Sequence, residues 1–170
     1  RKGYNPSALR SFWIDMGVTQ KDVSVAMESI EASNAASIDS TSRRISLVID
    51  PADIDIKGDV PSEIVLPFHP DDEEAGVRKI SLASSSVIIE KEDLTDSFRL
   101  KELANVDLME GIFEIGSFER DDGRPIIHWL SADSSVTCEL EIANGNKLDI
   151  LKCLVEDANL KIGEVVQLER

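Results

Sequence analysis

The residues of this chain best suited to chemistry are two adjacent arginines, Arg43 and Arg44, directly before an apolar segment at residues 45–49. The segment in front of them has a helical pattern, whereas the segment after them alternates polar and apolar residues, as strands do. The whole chain has 18 Lys and Arg against 33 Asp and Glu, for a formal net charge of −15. Because cations are scarce in this protein, two placed together at a structural boundary indicate that this corner binds an anion.

The two histidines are the next candidates for chemistry. His69 lies between Phe68 and Pro70, which predicts a loop, and His128 precedes Trp129 inside an apolar run, which predicts a structural role. No nucleophile motif, glycine-rich phosphate loop or zinc-ligand spacing accompanies either histidine. A stand-alone enzyme that uses His69 or His128 remains an alternative, and it requires a pocket with a nucleophile or carboxylate beside the histidine. The residues themselves name no catalytic group.

Metal binding has two further candidates. The acidic run at residues 71–74 offers carboxylate oxygens, which hard divalent cations prefer, but a solvated acidic turn is the favoured interpretation. Cys138 and Cys153 lack the spacing of a zinc site, so we interpret them as two half-buried thiols of a protein from a reducing cytosol. The sequence therefore predicts no metal and no cofactor bound by these residues.

The charge is concentrated in the middle of the chain. Residues 1–50 hold six cations and six anions, whereas residues 51–150 hold nine cations and 23 anions. A protein that bound nucleic acid through a broad surface would need a basic face, so general binding of DNA or RNA is not expected. Local contacts through a few arginines remain open, and so does an acidic protein-interaction module without RNA binding. No apolar run is long enough to span a bilayer.

Helical signals fill the first forty residues. Asn5 and Pro6 are typical of a helix N-terminus, and Gly17 predicts the end of that helix. Thr19 predicts the start of a second helix, and Asp39 is expected to cap a short turn before the first strand. The apolar stripes of both helices, with Trp13 and Met27 among them, are interpreted as core-facing. They consist of Leu9, Phe12, Trp13, Met16, Val23, Met27 and Ile30.

From residue 45 onward the apolar residues recur with a period of two, which predicts strands. The predicted strands centre on residues 45–49, 54–56, 64–66, 87–89, 106–108, 112–115, 126–130, 136–142, 148–151 and 165–168. Turn residues separate these segments, and Asn144-Gly145 between two of them is a hairpin signal. Many short strands with regular turns predict a sandwich or barrels.

Several short motifs, taken in order, resemble one family. They are GYNPSALR at residues 3–10, GVT at 17–19 with Asp22, Asn34 with Ile38-Asp39 and Arg44, VIDP at 48–51, LPFHP at 66–70, GVR at 76–78, IHWLSA at 127–132 and VQLER at 166–170. Together they resemble the C-terminal part of archaeal-type glutamyl-tRNA synthetase and of its close relative glutaminyl-tRNA synthetase, which are class I synthetases. The resemblance covers essentially all 170 residues.

The resemblance implies a mainly β fold with an N-terminal helical segment. Residues 1–43 would form a helical stem-contact segment, and residues 44–170 two β-barrels of the glutaminyl-tRNA synthetase anticodon-binding type. The proximal barrel would come from both ends of that span, and the distal barrel from its middle, at roughly residues 105–145. The ATP-binding signatures of the family are absent from this stretch, so ATP would be bound by a catalytic domain outside it.

The resemblance also implies a binding site for RNA. By position, Arg44, Gln167 and Arg170 match the groups that hold the middle anticodon base, which is U in both the glutamate and the glutamine anticodons. An amide can both donate to and accept from a uracil edge, and arginine can contact carbonyl or phosphate oxygens. Arg78 and His69 are weaker candidates for RNA contacts. We set a limit of about 15 Å, the reach of one or two nucleotides, on the separation of the first three residues.

Two segments favour glutamate over glutamine as the amino acid of the family member. Phe68 stands where glutaminyl enzymes have Asn before the His-Pro pair, and residues 107–111 depart from their Arg-Leu-Arg-Asn-Ala strand. The resemblance thus implies the anticodon-binding portion of a cytoplasmic glutamate–tRNA ligase, inactive by itself. Its partner would be tRNA(Glu), with tRNA(Gln) as a second candidate, and neither DNA nor a membrane. The same region of a glutaminyl-tRNA synthetase is the alternative.

Overall fold

A computed structural model of the chain describes residues 3–18, 21–39, 42–70, 72–120 and 123–170. Within these ranges the protein is mainly β, with two α-helices in front of the strands, as the sequence predicted. The helices are α1 (Pro6–Met16) and α2 (Met27–Asp39). The strands are β1 (Arg43–Val48), β2 (Pro51–Lys57), β3 (Glu63–Pro67), β4 (Val77–Ser81), β5 (Ser86–Glu90), β6 (Ser97–Leu100), β7 (Asn105–Met109), β8 (Ile112–Ser117), β9 (Ile126–Ile127), β10 (Leu130–Ser131), β11 (Ser135–Asn144), β12 (Lys147–Glu156) and β13 (Val166–Glu169). None of the described helices is long and apolar enough to cross a membrane.

The first helix forms where its capping signals placed it. The Asn5 side chain accepts a hydrogen bond from the Ser7 amide, and Gly17 ends the helix with a φ of 70°. Thr19, the predicted start of the second helix, lies outside the described residues; α2 begins at Met27, and residues 21–26 before it are not helical. Asp39 is the last residue of α2, and residues 40 and 41 after it lie outside the described residues, so its capping of a turn there stays a prediction. Its carboxylate accepts a hydrogen bond from an arginine of β1, as described below.

The prediction that the helical stripes face the core was wrong. Trp13 is 55% exposed and Met27 is 45% exposed. Ala8 is the buried residue of α1, and no residue of α2 is buried. The two helices contact each other through polar groups, since the Asn5 amide donates to the Asn34 side chain at 2.7 Å. Spacing identified the helices, but it could not show that they pack mainly on one another.

The first and last strands meet in a four-stranded sheet with the order β11-β12-β1-β13. β1 runs antiparallel to β12 and parallel to β13. The parallel pairing puts Arg43 opposite Val166 and Arg44 opposite Gln167. This pairing joins residues that are more than a hundred positions apart in the sequence, and it brings the arginine corner to the end of the chain.

The strands between these ends form a seven-stranded sheet with the order β10-β5-β2-β8-β7-β6-β9. Its two edge strands, β9 and β10, follow each other in sequence with only His128 and Trp129 between them. Two residues span only about 7 Å of extended chain, so the sheet must curl until its edges lie close together. Trp129 is 5% exposed and belongs to the core of this rolled sheet, where its indole donates to the Lys101 carbonyl at 2.9 Å.

The two sheets share one core. The larger cluster lies in the rolled sheet, and Phe98, Leu100 and Val106 in it have no exposed surface. A second cluster under the four-stranded sheet contains Ile45 and Cys153. A third cluster, of Val48, Ile88 and Leu130 with Leu154 against it, takes residues from both sheets. Burial of each methylene group contributes about 0.8 kcal/mol. The apolar contacts of this shared cluster therefore hold one sheet against the other.

The predicted hairpin at residues 144–146 is present. β11 and β12 pair antiparallel over ten residues each, from Ser135 opposite Glu156 to Asn144 opposite Lys147. Cys138 and Cys153 are direct partners in this ladder, with their sulfur atoms 3.1 Å apart. Both are free thiols; Cys153 is buried and Cys138 is half-buried.

Two strands were missed in the sequence, β4 and β6, and the predicted strand at 126–130 is split at His128. β4 carries charges at two of its five positions, which hides its apolar period, and β6 has only four residues. Residues 105–131 join the rolled sheet, whereas residues 135–144 join the four-stranded sheet. The division into a proximal barrel and a distal barrel at 105–145 stays a prediction.

In the acidic run, Asp72 accepts from the Glu74 amide at the start of a short 3-10 helix, Glu73–Ala75. Asp71 lies outside the described residues. Among the described residues, no group of three or more His, Cys, Asp or Glu is arranged to hold a metal ion.

Candidate functional site

The first and last strands place the arginine corner beside the last motif of the chain. Parallel strands lie about 4.8 Å apart, and residues in register project to the same face. Arg44 is therefore a neighbour of Gln167 on one face, and the next pair on that face is Ser46 with Glu169. Local sequence accounts for the strands themselves, since each alternates apolar and polar residues, but only the long-range pairing creates this face.

A cavity of about 370 Å³ opens against this face. Its lining comes from β1, β3 and the loop after it, β4, the turn after β6, the segment after β8, the link between β9 and β10, and β13. The charged or ionisable lining residues are Arg44, Arg78, Lys101, Glu102, Arg120, His128 and Glu169. Four permanent cations and two carboxylates give this lining a net charge of +2, in a chain whose net charge is −15. The cavity is thus suited to an anionic ligand.

Glu169 connects the walls of the cavity. Its carboxylate lies 2.9 Å from the Lys101 ammonium, 3.6 Å from the Arg44 guanidinium and 3.8 Å from His128 Nδ1. Burial lowers the pKa of His128, and Lys101 lowers it further, whereas Glu169 acts in the opposite direction. The imidazole is accordingly neutral at pH 7. At 3.8 Å it makes no hydrogen bond to Glu169, so the pair lacks the geometry of a general base held by a carboxylate.

Two buried polar atoms on this face have no hydrogen-bond partner within the described part of the chain. They are Nε of Arg44 and Oε1 of Gln167. The rest of the Arg44 guanidinium is engaged, because it donates to Asp39 at 3.1 Å and lies 3.6 Å from Glu169. Buried polar atoms are nearly always paired, and an unpaired one costs free energy. A donor and an acceptor left open side by side are what a ligand with the complementary edge would fill.

The loop after β3 packs against Arg44. The Arg44 amide donates to the Phe68 carbonyl at 2.9 Å, and the Phe68 amide donates to Gly76 at 3.0 Å. The Phe68 ring lies against two guanidinium groups, 4.6 Å from that of Arg43 and 5.6 Å from that of Arg78. His69 in this loop is only 5% exposed. The predicted loop is present, and it buries His69 rather than presenting it to the cavity.

Arg78 holds this loop to the four-stranded sheet. It donates to the Arg44 carbonyl, and its Nε lies 3.0 Å from Glu156, with both side chains less than 10% exposed. Burial raises the pKa of Glu156, and Arg78 opposes that shift. On the other side of Phe68, Arg78 also lines a wider groove of about 900 Å³. Its position between the two depressions gives Arg78 a structural role in the site.

Arg170 contacts two carboxylates, Glu90 and Glu92, that Arg44 and Gln167 do not contact. It follows β13, three residues after Gln167, which is about 10 Å of extended strand and so below the 15 Å limit set above. Its guanidinium donates to Glu90 at 3.0 Å and to Glu92 at 2.9 Å, and its side chain is half exposed. Glu90 in turn accepts from the amides of Ile49 and Asp50, which fixes the corner between β1 and β2.

The structure thus brings Arg44 and Gln167 together, places Arg78 behind them, and leaves Arg170 on Glu90 at the end of the same strand. Reasoning from the sequence missed the opposite wall of the cavity. That wall consists of Lys101, Glu102, Arg120 and His128. No local motif marks the three charged residues of this wall, since 30% of the chain is charged.

Comparison with known proteins defines the class of this chain. Residues 42–133 match the family described as tRNA synthetases class I (E and Q), anti-codon binding domain. This match covers more than half of the chain and includes Arg44 and the loop after β3. The chain therefore belongs to the anticodon-binding domain family of the class I tRNA synthetases for glutamate and glutamine. The family resemblance predicted from the sequence is confirmed.

The curated relatives are all longer proteins. A glutamate–tRNA ligase of Pyrococcus abyssi is 34% identical over 185 residues, covering 100% of this chain and 32% of the relative. One from Thermococcus kodakarensis is 30% identical with the same coverage. One from Methanothrix thermoacetophila is 37% identical over 143 residues, 76% of this chain and 25% of the relative. The chain spans about a third of the length of the first of these relatives.

Proposed function

We propose that this chain is the anticodon-binding part of a glutamate–tRNA ligase, and that Arg44 and Gln167 read the middle base of the anticodon. Membership of the family and the name shared by the archaeal relatives support this proposal. Those names favour glutamate over the glutaminyl alternative. The partner is tRNA(Glu), with tRNA(Gln) as a second candidate, in a cytoplasmic protein of translation.

The observation that carries the proposal is the open donor and acceptor at Arg44 Nε and Gln167 Oε1. The edge of a uracil offers one N–H donor between two carbonyl acceptors. Gln167 Oε1 can accept from that N–H while Arg44 donates to a neighbouring carbonyl. Cytosine carries an acceptor at the same ring position, which would face the Gln167 oxygen. With the Gln167 amide in this orientation, Arg44 and Gln167 together select uracil over cytosine.

The remaining predicted residues take supporting roles in the proposal. Arg170, whose guanidinium is half exposed on Glu92, would exchange that carboxylate for the RNA. Arg78 and His69 are too buried to meet RNA as they stand, so they would act by positioning. Arg78 donates to the Arg44 carbonyl, and His69 lies buried in the loop whose Phe68 carbonyl accepts from the Arg44 amide.

The reaction of the whole protein is a further part of the proposal. The ligase would attach glutamate to tRNA with ATP, and ATP would be bound by a catalytic domain that the longer relatives contain beyond the stretch aligned with this chain. This chain alone would charge nothing. An ATP-dependent and glutamate-dependent charging signal from it would contradict that division of labour. An acidic protein-interaction module remains the competing interpretation, and the RNA experiment below separates the two.

The test is binding of an anticodon stem-loop of tRNA(Glu), measured by fluorescence anisotropy, beside the same loop with its middle U changed to C. We expect the wild-type protein to prefer U by about tenfold or more, because a good base contact contributes about 1–3 kcal/mol of discrimination. Gln167→Met should remove the preference. Leu168→Met is the matched control, since Leu168 is the next residue on the opposite face of the strand. Equal binding of both loops to the wild-type protein would reject base reading by this site.

A further inference from the structure

The wall of the cavity opposite Arg44 contains two cations that base reading does not use. Lys101 and Glu102 form the turn between β6 and β7, and Arg120 follows β8. They come from the rolled sheet, whereas Arg44 and Gln167 come from the four-stranded sheet. A ligand in this cavity therefore touches both sheets at once.

These two cations are accessible, and each is paired with a carboxylate. The Arg120 side chain is 71% exposed and pairs with Glu102, which is itself 39% exposed. The Lys101 side chain is 35% exposed and lies 2.9 Å from Glu169. The exposed pair of Arg120 with Glu102 contributes little, since water competes with it. Glu169 is only 12% exposed, so the partly exposed Lys101 ammonium has a stronger partner. An incoming phosphate can take the place of each carboxylate, with the arginine fork fitting two phosphate oxygens and the lysine acting as a point charge.

The size of the cavity matches this assignment. Ligand cavities range from about 300 to 1,000 Å³, and 370 Å³ suits a single nucleotide better than a longer segment. A base placed against Arg44 and Gln167 leaves its sugar and phosphate toward the opposite wall. Lys101 and Arg120, both in the lining, can contact the single negative charge of a backbone phosphodiester.

We propose that Lys101 and Arg120 hold the backbone phosphate of the nucleotide whose base lies against Arg44 and Gln167. This inference rests on the proposed function and adds to it a second half of the site, on the other sheet. The base contacts provide selectivity, whereas the phosphate contact provides affinity that does not depend on sequence.

The first arm of the test compares the wild-type protein with the double variant Lys101→Gln plus Arg120→Gln. The double variant should bind the U loop and the C loop about tenfold more weakly, by the same factor, because charge-assisted contacts to phosphate are lost. Its plot of log binding constant against log salt should flatten by about 0.7, the value for one phosphate on a single strand. Lys91→Gln is the matched control, since Lys91 is also paired, with Asp50 at 2.7 Å, but does not line the cavity.

The second arm uses only the wild-type protein, so it can overturn the proposal even if the double variant fails to fold. A methylphosphonate replaces, in two separate RNAs, the phosphate on the 5′ or the 3′ side of the middle base. One of the two should bind about tenfold more weakly. If the double variant folds, it should show no further loss with that RNA. Full binding of both modified RNAs, or an unchanged salt slope in the double variant, would overturn the proposal.

The outcomes separate this inference from the proposed function. A loop that needs the phosphate contact but binds without preference for the middle U supports the phosphate site and rejects base reading. Competition by inorganic phosphate, combined with full binding of both methylphosphonate RNAs, would show a site for free phosphate and overturn the assignment to RNA. Failure of the unmodified loop to bind the wild-type protein would reject both.

Discussion

Among the described residues of this site, Arg78 and Glu156 form the most deeply buried ion pair, with side chains 9% and 7% exposed. Burial of two charges is costly, and their attraction roughly offsets that cost when both are present. Removal of one partner leaves the other charge buried without compensation. The pair therefore matters more for holding the loop at Phe68 than for net stability.

Arg78→Met should lower the free energy of unfolding by about 3–5 kcal/mol, measured by urea denaturation. The loss should be smaller at pH 5 than at pH 8. The folded-state pKa of Glu156 is already raised by burial, and removal of Arg78 raises it further. Stability is therefore present when Glu156 is protonated and is lost as the pH rises through that raised value.

Lys79→Met is the control for this prediction. Lys79 neighbours Arg78 on β4, and its ion pair with Glu63 is exposed, at 68% and 49% of the two side chains. Its loss should cost less than about 1 kcal/mol. Equal effects of the two substitutions would show that the burial of Arg78 does not decide its contribution.

The thiol of Cys138 should react slowly, although it is partly exposed. Burial raises its pKa to about 11, and its hydrogen bond with Cys153 acts in the same direction. Since the thiolate is the nucleophile, alkylation by iodoacetamide at pH 8 should be about a hundredfold slower than for a thiol of ordinary pKa. The rate should rise about tenfold per pH unit. Mass spectrometry of the labelled protein measures it, with urea-unfolded protein as the reference; fast labelling of folded protein would contradict the raised pKa.

At the same scale, the sequence could single out some residues and not others. Arg44 and Gln167 stand in short motifs, so their types and surroundings mark them. That they are neighbours could not be read from spacing, because a parallel pairing across the whole β region sets it. Lys101 and Arg120 stand in none of these motifs, and only the folded cavity distinguishes them from the other charged residues.

Among the elements, α2 has the most direct influence on the site. Its last residue, Asp39, holds the Arg44 guanidinium at 3.1 Å, which places a negative charge beside the proposed ligand. The helix is thus an electrostatic competitor of the RNA.

Asp39→Asn should strengthen binding of the anticodon stem-loop several-fold, because the guanidinium loses a competing carboxylate. Stability should change by less than about 1 kcal/mol, since the pair is partly exposed. Asp15→Asn is the matched control, because it changes the net charge equally and lies on the exposed face of α1. Equal strengthening by both variants would attribute the effect to overall charge rather than to the contact with Arg44.

The helices and strands also show how much of the secondary structure can be predicted from the periodicity of the sequence. Strong alternation located β1, β2 and β11, and the hairpin signal at Asn144 was confirmed. β4 was hidden by its charges and β6 by its length. The second helix was placed too early, because Thr19 and Asp22 match a capping pattern although residues 22–26 form no helix. Helix propensity and capping patterns do not show whether a segment has a surface to pack against.

For the whole molecule, the charge distribution determines how selective RNA binding can be. A chain with a net charge of −15 repels the RNA backbone overall, whereas the lining of the cavity has more cations than carboxylates. Binding thus depends on a small number of contacts rather than on a broad attraction. The family could be predicted from the sequence because its motifs span the chain. Which cations lie together in the cavity, by contrast, is known only from the three-dimensional structure.

The salt dependence of binding should therefore be shallow. Between 50 and 200 mM KCl, the slope of log binding constant against log salt should stay below about 2 in magnitude, because each phosphate contact to a single strand contributes about 0.7. Mixed-sequence RNA and double-stranded DNA should show no binding in the same fluorescence anisotropy assay. Tight binding of any RNA with a steep slope would indicate a basic surface that the charge distribution does not provide.

The pairing of β1 with β13 has a consequence for the order in which the molecule is made. During synthesis, β1 emerges long before its neighbours β12 and β13, and every strand of the rolled sheet is made before either of them. Closure of a loop this long is slow and entropically costly compared with the local hairpins. Glu169, in β13, thus joins the cavity only after the other lining residues have been made, and a chain cut before Val166 would hold a rolled sheet without a complete cavity. Competence for the ligand therefore depends on the pairing of β13 with β1.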